Sequence, residues 1–441
     1  MHTPVPPESS PWPRRFLVLL FGLIPYLAAA LTGTPDPDAV GLARIHSAAR
    51  SVYCGKGGHL VTAVLVAELI LVGALVLLAN HRGEGRGFLA SLRGAAGWRL
   101  LALLVLMAMP FLIGWNTGTS VCTRGKAYFW QSIFVEVFIL AILAISYNLL
   151  FGFTGVISFG HAAFFGTGAY SVGLLMLHLS WPWWLAVAAA LLIGVILALV
   201  KGFVGLRIKG LYFALFTLAL AEVLFLLAGN RILVSITGAE DGFTFTVPDW
   251  LNMTRNRLFF YYLALGLFVG AFALVQRLMG SPTGHALHAI RDNEERAQMI
   301  GYNTFRFKLI AIALSGFLAT LAGVMRGIAL KGASPNVLGL DFTMQPLLMT
   351  IVGGMGTFSG PVVGAFVLRL LEQLLRDSVL TLGPVAIDIG ERWPLILGLI
   401  FILSVMAFPY GIVGTWLSKG LHTREGWRRL LGGKGGGKQP G

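Results

Sequence analysis

Stretches of about twenty consecutive apolar residues recur along this chain, each long enough to cross a hydrocarbon core of ~30 Å as a helix. Such windows lie near 60–79, 98–115, 129–151, 183–206, 211–229, 258–279, 307–330 and 393–413, with shorter or glycine-interrupted ones at 16–31, 160–178 and 344–375. A soluble fold has too little interior to hide that much apolar surface. Only 12% of the residues are charged, against about a quarter in globular proteins. The net charge of +14 and pI ≈ 10.1 therefore do not describe a nucleic-acid-binding face, which needs a soluble scaffold behind it. They describe basic cytoplasmic loops. Two cysteines exclude a disulfide scaffold, a cysteine-based zinc site and an iron–sulfur cluster. The expected fold is an all-α polytopic membrane protein.

Charge orients the windows. Arg14 and Arg15 precede the first run and place the N-terminus inside. That run has the outline of a signal peptide, ending at Ala28–Ala29–Ala30, but is read as an uncleaved first helix. The segment 80–97 (Arg82, Arg86 and Arg93 against Glu84), the turn with Lys201, Arg207 and Lys209, the loop 280–306 and the tail 414–441 all read as cytoplasmic. Trp181, Trp183 and Trp184 read as an outer interfacial belt. Cys54 and Cys122 fall in outer loops, where one disulfide or two free thiols would both fit. Alternation keeps the basic tail inside only if 344–375 enters and returns. This gives about ten crossings plus a re-entrant or broken segment at Ile351–Ala365, where five glycines and a proline supply the break.

A second glycine-rich stretch runs from Asn148 to Tyr170. Its Gly155-x-x-Ser158-Phe-Gly160 echoes Gly354-x-Gly356-Thr-Phe-Ser-Gly360. Close helix packing explains such glycines. So does a pair of interrupted helices lining a route, the arrangement that marks a midplane substrate site in transporters. His161, ionisable within an apolar run, favours the route. The candidate path set is Gly155, Ser158, Gly160, His161, Gly166, Gly353, Gly354 and Gly356. Of the intramembrane acids, Glu68 and Glu136 are expected to be hydrogen-bonded structural groups. No acid cluster or histidine set suits a metal, no cofactor is implied, and no Walker A sequence occurs.

The longest internal polar stretch, Ser281–Phe307, predicts a helix over His285–Ile300, started by Ser281-Pro282 and ended by Gly301. It is either a solvated interfacial helix or a docking helix for a cytoplasmic partner, with Ala286, Ile290 and Ala297 along one side and Arg291, Glu294 and Glu295 on others.

These stretches together resemble the permease subunits of branched-chain amino-acid ABC importers, of the LivM rather than the LivH type. NLLFGFTGVISFGHAAFFGTGAY resembles the family signature, and Leu206–Glu222 followed by Thr237–Gly242 (TGAEDG) is similar to a LivM-type motif pair. Glu295, Ala297 and Gly301 match the Glu-x-Ala-x-x-x-Gly coupling pattern; Arg296 replaces a usual alanine, and a later proline is missing. LLMTIVGGMGTFSGPVVGA matches the late glycine-rich segment. The resemblance covers 129–413. It implies a LivH-type partner subunit in a heterodimer, two cytoplasmic ATP-binding subunits and an extracytoplasmic binding protein. It also implies an ATPase-coupling role for Glu295, Ala297 and Gly301, beside which the charges of Arg291 and Glu294 can pair with a partner's rim; it adds Glu222 to the candidate path and implies an outer-loop motif of Thr237, Gly238, Asp241 and Gly242.

Three regions are expected: an N-terminal extension of about three helices (1–128), a permease domain (129–413) and a basic glycine-rich tail (414–441). The reading is a non-enzymatic transport subunit of the bacterial inner membrane, surrounded by lipid and binding no nucleic acid. An ion-coupled secondary transporter of a small polar solute is the rival.

Overall fold

The computed structural model describes residues 12–34, 58–81, 95–117, 125–208 and 210–376, with pieces within 48–54 and 379–418. It is almost entirely helical. Among the described residues six helices are long and apolar enough to cross a membrane. The basic segment 82–94, Lys209, Cys122 and the tail beyond Ser418 lie outside the described residues, as does much of the 393–413 window.

The chain divides into two compact units, residues 1–132 with 256–262, and residues 133–255 with 263–441. The first holds α1 (Trp12–Thr32), α2 (Gly58–His81) and α3 (Ala95–Thr117). Val61, Leu65, Val72 and Val76 of α2 bury against Leu100, Leu104, Ala108 and Phe111 of α3, with Phe21 and Ala29 of α1. Pro110 lies inside α3, and having no N–H it leaves the Leu106 carbonyl without its helical donor. Tyr261 supplies the missing hydrogen, its hydroxyl donating to Leu106 O at 2.5 Å, while Tyr262 donates to Met107 O at 2.8 Å. Carbonyls freed inside a bilayer require such partners. Cys54 is disulfide-bonded, so of the two states open from sequence the bonded one is found.

The second unit is built around α4 (Lys126–Thr154) from Ile133 on, with α5 (His161–His178), α6 (Trp183–Gly205), α7 (Leu211–Ala228), α8 (Arg257–Met279) from Leu263 on, and α11 (Thr304–Leu330). From Ile133 to Leu150 every position of α4 is buried except Glu136. Between α5, α6 and α11 small residues set the spacing. Gly323 faces the Phe165 carbonyl, Gly168 the Thr320 carbonyl, Gly194 the Thr320 side chain, and Gly316 the Ala198 methyl. Where lipid is as apolar as leucine, such close approach is what drives helices together.

The polar stretch after α8 is two helices, not the single one predicted over 285–300. They are α9 (Pro282–Asp292) and α10 (Glu294–Met299). Asn293, at φ −161°, interrupts them, and its side chain caps α10 by accepting from Arg296 N at 2.9 Å. An asparagine offers its own backbone an alternative to the helix, which apolar spacing cannot reveal. Gly301 follows at φ +100°, the left-handed stop expected of it.

Residues 341–376 form α12 (Asp341–Gly353) and α13 (Gly360–Arg376), an antiparallel hairpin. Gly353 faces the Gly360 carbonyl and Gly364 faces that of Met349, so the chain enters and returns. Helix α14 (Gly411–Ser418) packs by Gly411 and Gly414 against Gly354. Strand β1 (Phe243–Thr244) pairs antiparallel with β2 (Gly332–Ala333), and β3 (Val379–Leu382) with β4 (Val385–Asp388).

Candidate functional site

Two glycine-rich turns, far apart in sequence, come together beside α9. The first follows α4: Gly155 takes φ +74°, residues 155–160 leave the helix, and α5 begins at His161. Its open backbone is satisfied from other helices. Phe159 N donates to Thr217 Oγ1 of α7 at 3.1 Å, and Ala162 N to Thr343 Oγ1 of α12 at 3.0 Å. Lys201 of α6 donates from Nζ to the Gly160 carbonyl at 2.8 Å and to Ser158 Oγ at 3.4 Å, over the ring of Phe164. Lys201 is 1% exposed. It is thus not the cytoplasmic loop charge that its position near Arg207 suggests, because α6 continues past it and turns it inward.

The second turn joins α12 to α13, with Gly354 at φ +123° and Gly356 at φ +74°. Thr357 Oγ1 donates to Gly354 O (2.8 Å) and accepts from Gly360 N (3.0 Å). Asn148 of α4 grips it with both ends of one amide, Nδ2 donating to Thr357 O at 2.9 Å and Oδ1 accepting from Gly356 N at 3.0 Å. Gly152 leaves the room, since a side chain there would strike both Asn148 and Gly356.

Helix α9 spans the two. The stem of Arg291 crosses Gly155, where a Cβ would lie 3.3 Å from Arg291 Cγ, and its guanidinium reaches Gly356. His288 meets Phe153 edge-on at 5.6 Å, and Phe153 packs on Phe358 of the second turn at 5.2 Å. Burial, then the neighbouring Arg291 guanidinium, holds His288 below the usual histidine range. One polar helix between two membrane helices therefore touches both of these glycine-rich interruptions.

A family model described as "Branched-chain amino acid transport system / permease component" matches residues 129–406. The chain belongs to this family. It is a multi-pass permease component of the inner membrane. Over 341 residues it is 26% identical to the high-affinity branched-chain amino acid transport system permease protein LivM of Salmonella typhimurium, covering 71% of this chain and 74% of that one. The LivH protein of the same organism is 24% identical over 315 residues, 65% of this chain and 96% of LivH. Ribose import permease protein RbsC of Haemophilus influenzae is 24% identical over 262 residues, 55% of this chain and 73% of its own. No solved structure matches the chain.

In this permease the glycines expected on a path sit mostly against protein. Gly160 faces the Thr217 carbonyl, Gly166 the Leu338 side chain, and Gly353 the Gly360 carbonyl. Ser158 and His161 are buried. His161 Nε2 lies 3.0 Å from Ser315 Oγ, which donates to Ser146 O at 2.7 Å. Since the serine hydrogen is committed, the imidazole is assigned as the Nε2–H donor. Gly155 is exposed, and so is Glu222, which lies on the open side of α7 beside Val223.

Of the intramembrane acids, Glu136 is the paired structural group expected. It bridges Arg326 of α11 and Arg369 of α13. Glu68 differs: both carboxylate oxygens are buried without a hydrogen-bond partner among the described residues. Arg326, Arg369 and Asn148 are not singled out from sequence, and Lys201 is read there only as a loop charge, although for the three basic residues charge within or beside an apolar window was the available signal.

In the polar segment after α8, Ala286, Ile290 and Ala297 are buried, so the alanines face the permease itself. Arg291 and Glu295 are exposed, and Glu294 pairs with Lys308 at 2.6 Å. In the loop after α7, Gly238 (φ +72°) and Gly242 (φ +70°) bracket a tight turn that leaves Glu240 and Asp241 exposed. Thr237 fastens it, accepting from Ala239 N at 3.3 Å and donating to Leu233 O at 3.0 Å. Among the described residues no group of three or more His, Cys, Asp or Glu side chains gathers as a metal site.

Proposed function

We propose that this chain is the LivM-type half of an ABC importer for branched-chain or related amino acids, paired with a LivH-type subunit. Two ATP-binding subunits drive it from the cytoplasm, and a binding protein delivers substrate outside. The chain itself is not an enzyme. The observation that carries the reading is the contact of α9 with both glycine-rich turns, through Arg291 on Gly155 and Gly356 and through His288 on Phe153. A push on α9 and α10 from an ATP-driven partner reaches both interruptions at once.

The turns, with Gly155, Ser158, Gly160, His161, Gly166, Gly353, Gly354 and Gly356, shape the inner end of the path, and Glu222 faces the path or the partner subunit. Their glycines admit the close backbone approach; His161 sets the start of α5 and does not touch substrate. The surface that α10 offers an ATPase is its outward tip. Met299 is 85% and Ile300 71% exposed there, flanked by Glu295, and an apolar tip with a charged rim fits a partner groove. The loop Thr237–Gly242, with Asp241 at its edge, receives the binding protein. Residues 1–128 are an extension outside the family core, and 414–441 are a cytoplasmic tail.

ATP-driven uptake of L-leucine, measured in proteoliposomes of the assembled complex with ionophores collapsing every ion gradient, tests this reading. Uptake that needs the gradient and ignores ATP would establish the secondary-transporter reading instead.

A further inference from the structure

Helix α11 ends at Leu330, and the chain then turns back along the membrane helices without forming one. The start of α5 shows how far it returns. His161, the first residue of α5, meets Ser315 of α11. At about 1.5 Å per residue, Ser315 stands roughly 17 Å along α11 from Thr304 and roughly 23 Å from Leu330, near the middle of a spanning helix. Against the first turns of α5 lie three residues from beyond α11. Leu338 fills the space at Gly166, Phe342 stacks on Phe165 at 4.8 Å, and the Thr343 hydroxyl accepts from Ala162 N at 3.0 Å. Residues 331–340 therefore carry irregular backbone, with one tight turn at Pro335–Leu338, from the end of α11 to mid-depth, where α12 begins.

Irregular backbone is tolerated at membrane depth only where protein buries it or water bathes it. Here the segment has one side of each kind. Val337 and Leu338 are buried, whereas Asn336, Leu340 and Asp341 are exposed. Gln345, one turn further along α12, is half-buried. Asp341 opens α12, yet among the described residues its carboxylate has no hydrogen-bond or ion-pair partner, so capping does not account for it. Helix α7 runs alongside, with Gly229 against Pro335 and Gly339 against Phe225. Glu222, one turn before Phe225 on the same side, is exposed as well. Lipid cannot serve such groups, because an acid at membrane depth is costly unless it is paired or faces a water-filled route. Of the bases nearby, Lys331 stands at the far end of the segment, and Arg326, 5.7 Å from the Phe342 ring, is taken by Glu136. The face thus attracts a cation and repels an anion.

We propose that Asn336, Asp341 and Gln345 wall the water-filled route through this half of the permease, and that Asp341 there attracts the ammonium group of an amino-acid substrate. The proposal rests on the amino-acid reading above. It moves the wall of the route from the packed glycines to the segment between α11 and α12, whose polar side chains are open.

The test is thiol labelling of the assembled importer in proteoliposomes, with Asn336→Cys, Leu340→Cys or Gln345→Cys and the wild-type chain as background. Two water-soluble methanethiosulfonates, one carrying a trimethylammonium group and one a sulfonate, are added on both sides. All three positions label, Leu192→Cys on the outward face of α6 does not, and saturating L-leucine slows the labelling. Relative to the same reagents on free 2-mercaptoethanol, the cation is favoured about fivefold at Leu340→Cys. Adding Asp341→Asn to that chain removes the preference and leaves the labelling, a ratio that a merely structural carboxylate would not move. Co-purification of the partner subunits establishes that each variant is assembled. Absence of labelling at Leu340→Cys and Gln345→Cys overturns the proposal, since lipid or the partner subunit would then cover the face. So does a charge preference that is the same with and without Asp341. If the wild-type importer fails to transport leucine, the amino-acid reading falls and protection by leucine with it; labelling and its charge preference then still report the route.

Discussion

The turn at Gly155–Gly160 hangs mainly from its neighbours: Lys201 of α6 and Thr217 of α7 hold its backbone, and its own side chains add one long bond, Gly160 N donating to Ser158 Oγ at 3.4 Å. The turn at Gly354–Gly360 is closed by its own Thr357 and gripped by Asn148 of the buried helix α4. The echo between the two sequences therefore extends to the break in the helix but not to the means of holding it. A motif with five glycines specifies where the backbone bends, while the partners that fix the bend come from elsewhere in the chain. The first turn is free to follow α6 and α7; the second is tied to the core.

The largest effects should come from filling the bends. Gly160→Val places methyls against the Thr217 carbonyl, and Gly354→Val adds a φ of +123° to a contact with Tyr410 and Gly414. Each should cost about 3 kcal/mol or more and abolish substrate uptake, read as ATP-driven flux beside the thermal midpoint of the purified complex. Near wild-type flux in both would remove the turns from the transport cycle.

Cutting the clamps comes next. Asn148→Ala deletes two hydrogen bonds to the second turn and should cost about 2 kcal/mol; Lys201→Met releases the first. If the turns are held independently, the double variant is additive within about 0.5 kcal/mol. A larger coupling, measured in a thermal double-mutant cycle, would make them one mechanical unit.

Gly301 gives a smaller effect. Nothing stands within 4 Å of a side chain there, so Gly301→Val is penalised by its φ of +100° alone, about 1–2 kcal/mol. Co-purification of the ATPase subunits and substrate-stimulated hydrolysis should both fall. Glu295→Lys should act in the same direction by no more than ~1 kcal/mol, as exposed charges do.

The smallest effect is a pH dependence. His288 is held below the usual histidine range by burial and Arg291, so the unfolded chain binds its proton first as pH falls. The contact with Phe153 therefore contributes fully above the ordinary histidine value and weakens below it. The thermal midpoint of wild type should drop on going from about pH 7.5 to about pH 5.5, by more than that of His288→Phe. Parallel curves would exclude His288 as the source.

Much of this was legible beforehand. Apolar windows gave the six long apolar helices of the described residues, and the glycines gave both breaks, the second within the return expected at 344–375, because each rests on local chain chemistry. The clamps were not legible. Arg326 and Arg369 meet Glu136 across 190 and 233 residues, and no local period reports such pairs. Lys201 misled for a definite reason: counting positive charge assigns it to a loop, whereas one further turn of α6 carries it inward. The alanines of α9 and α10 were placed on a helix face correctly, but which face meets solvent is decided by packing, and the break at Asn293 rotates the second helix relative to the first.

Helix lengths add a consequence for the lipid. Helix α4 has 29 residues, about 44 Å at 1.5 Å per residue, well beyond a ~30 Å hydrocarbon core. It is sheathed by protein, so bilayer thickness has no direct hold on it. Helices α6 and α7, with 23 and 18 residues, present Leu192, Ile196, Val200, Leu215, Val223 and Leu226 outward. They must tilt or stretch the lipid around them to match its thickness. Lys201 and Thr217, which hold the first turn, ride on those same two helices, whereas Asn148 rides on α4. A change in acyl-chain length would therefore act directly on the helices that carry Lys201 and Thr217, and not on the one that carries Asn148.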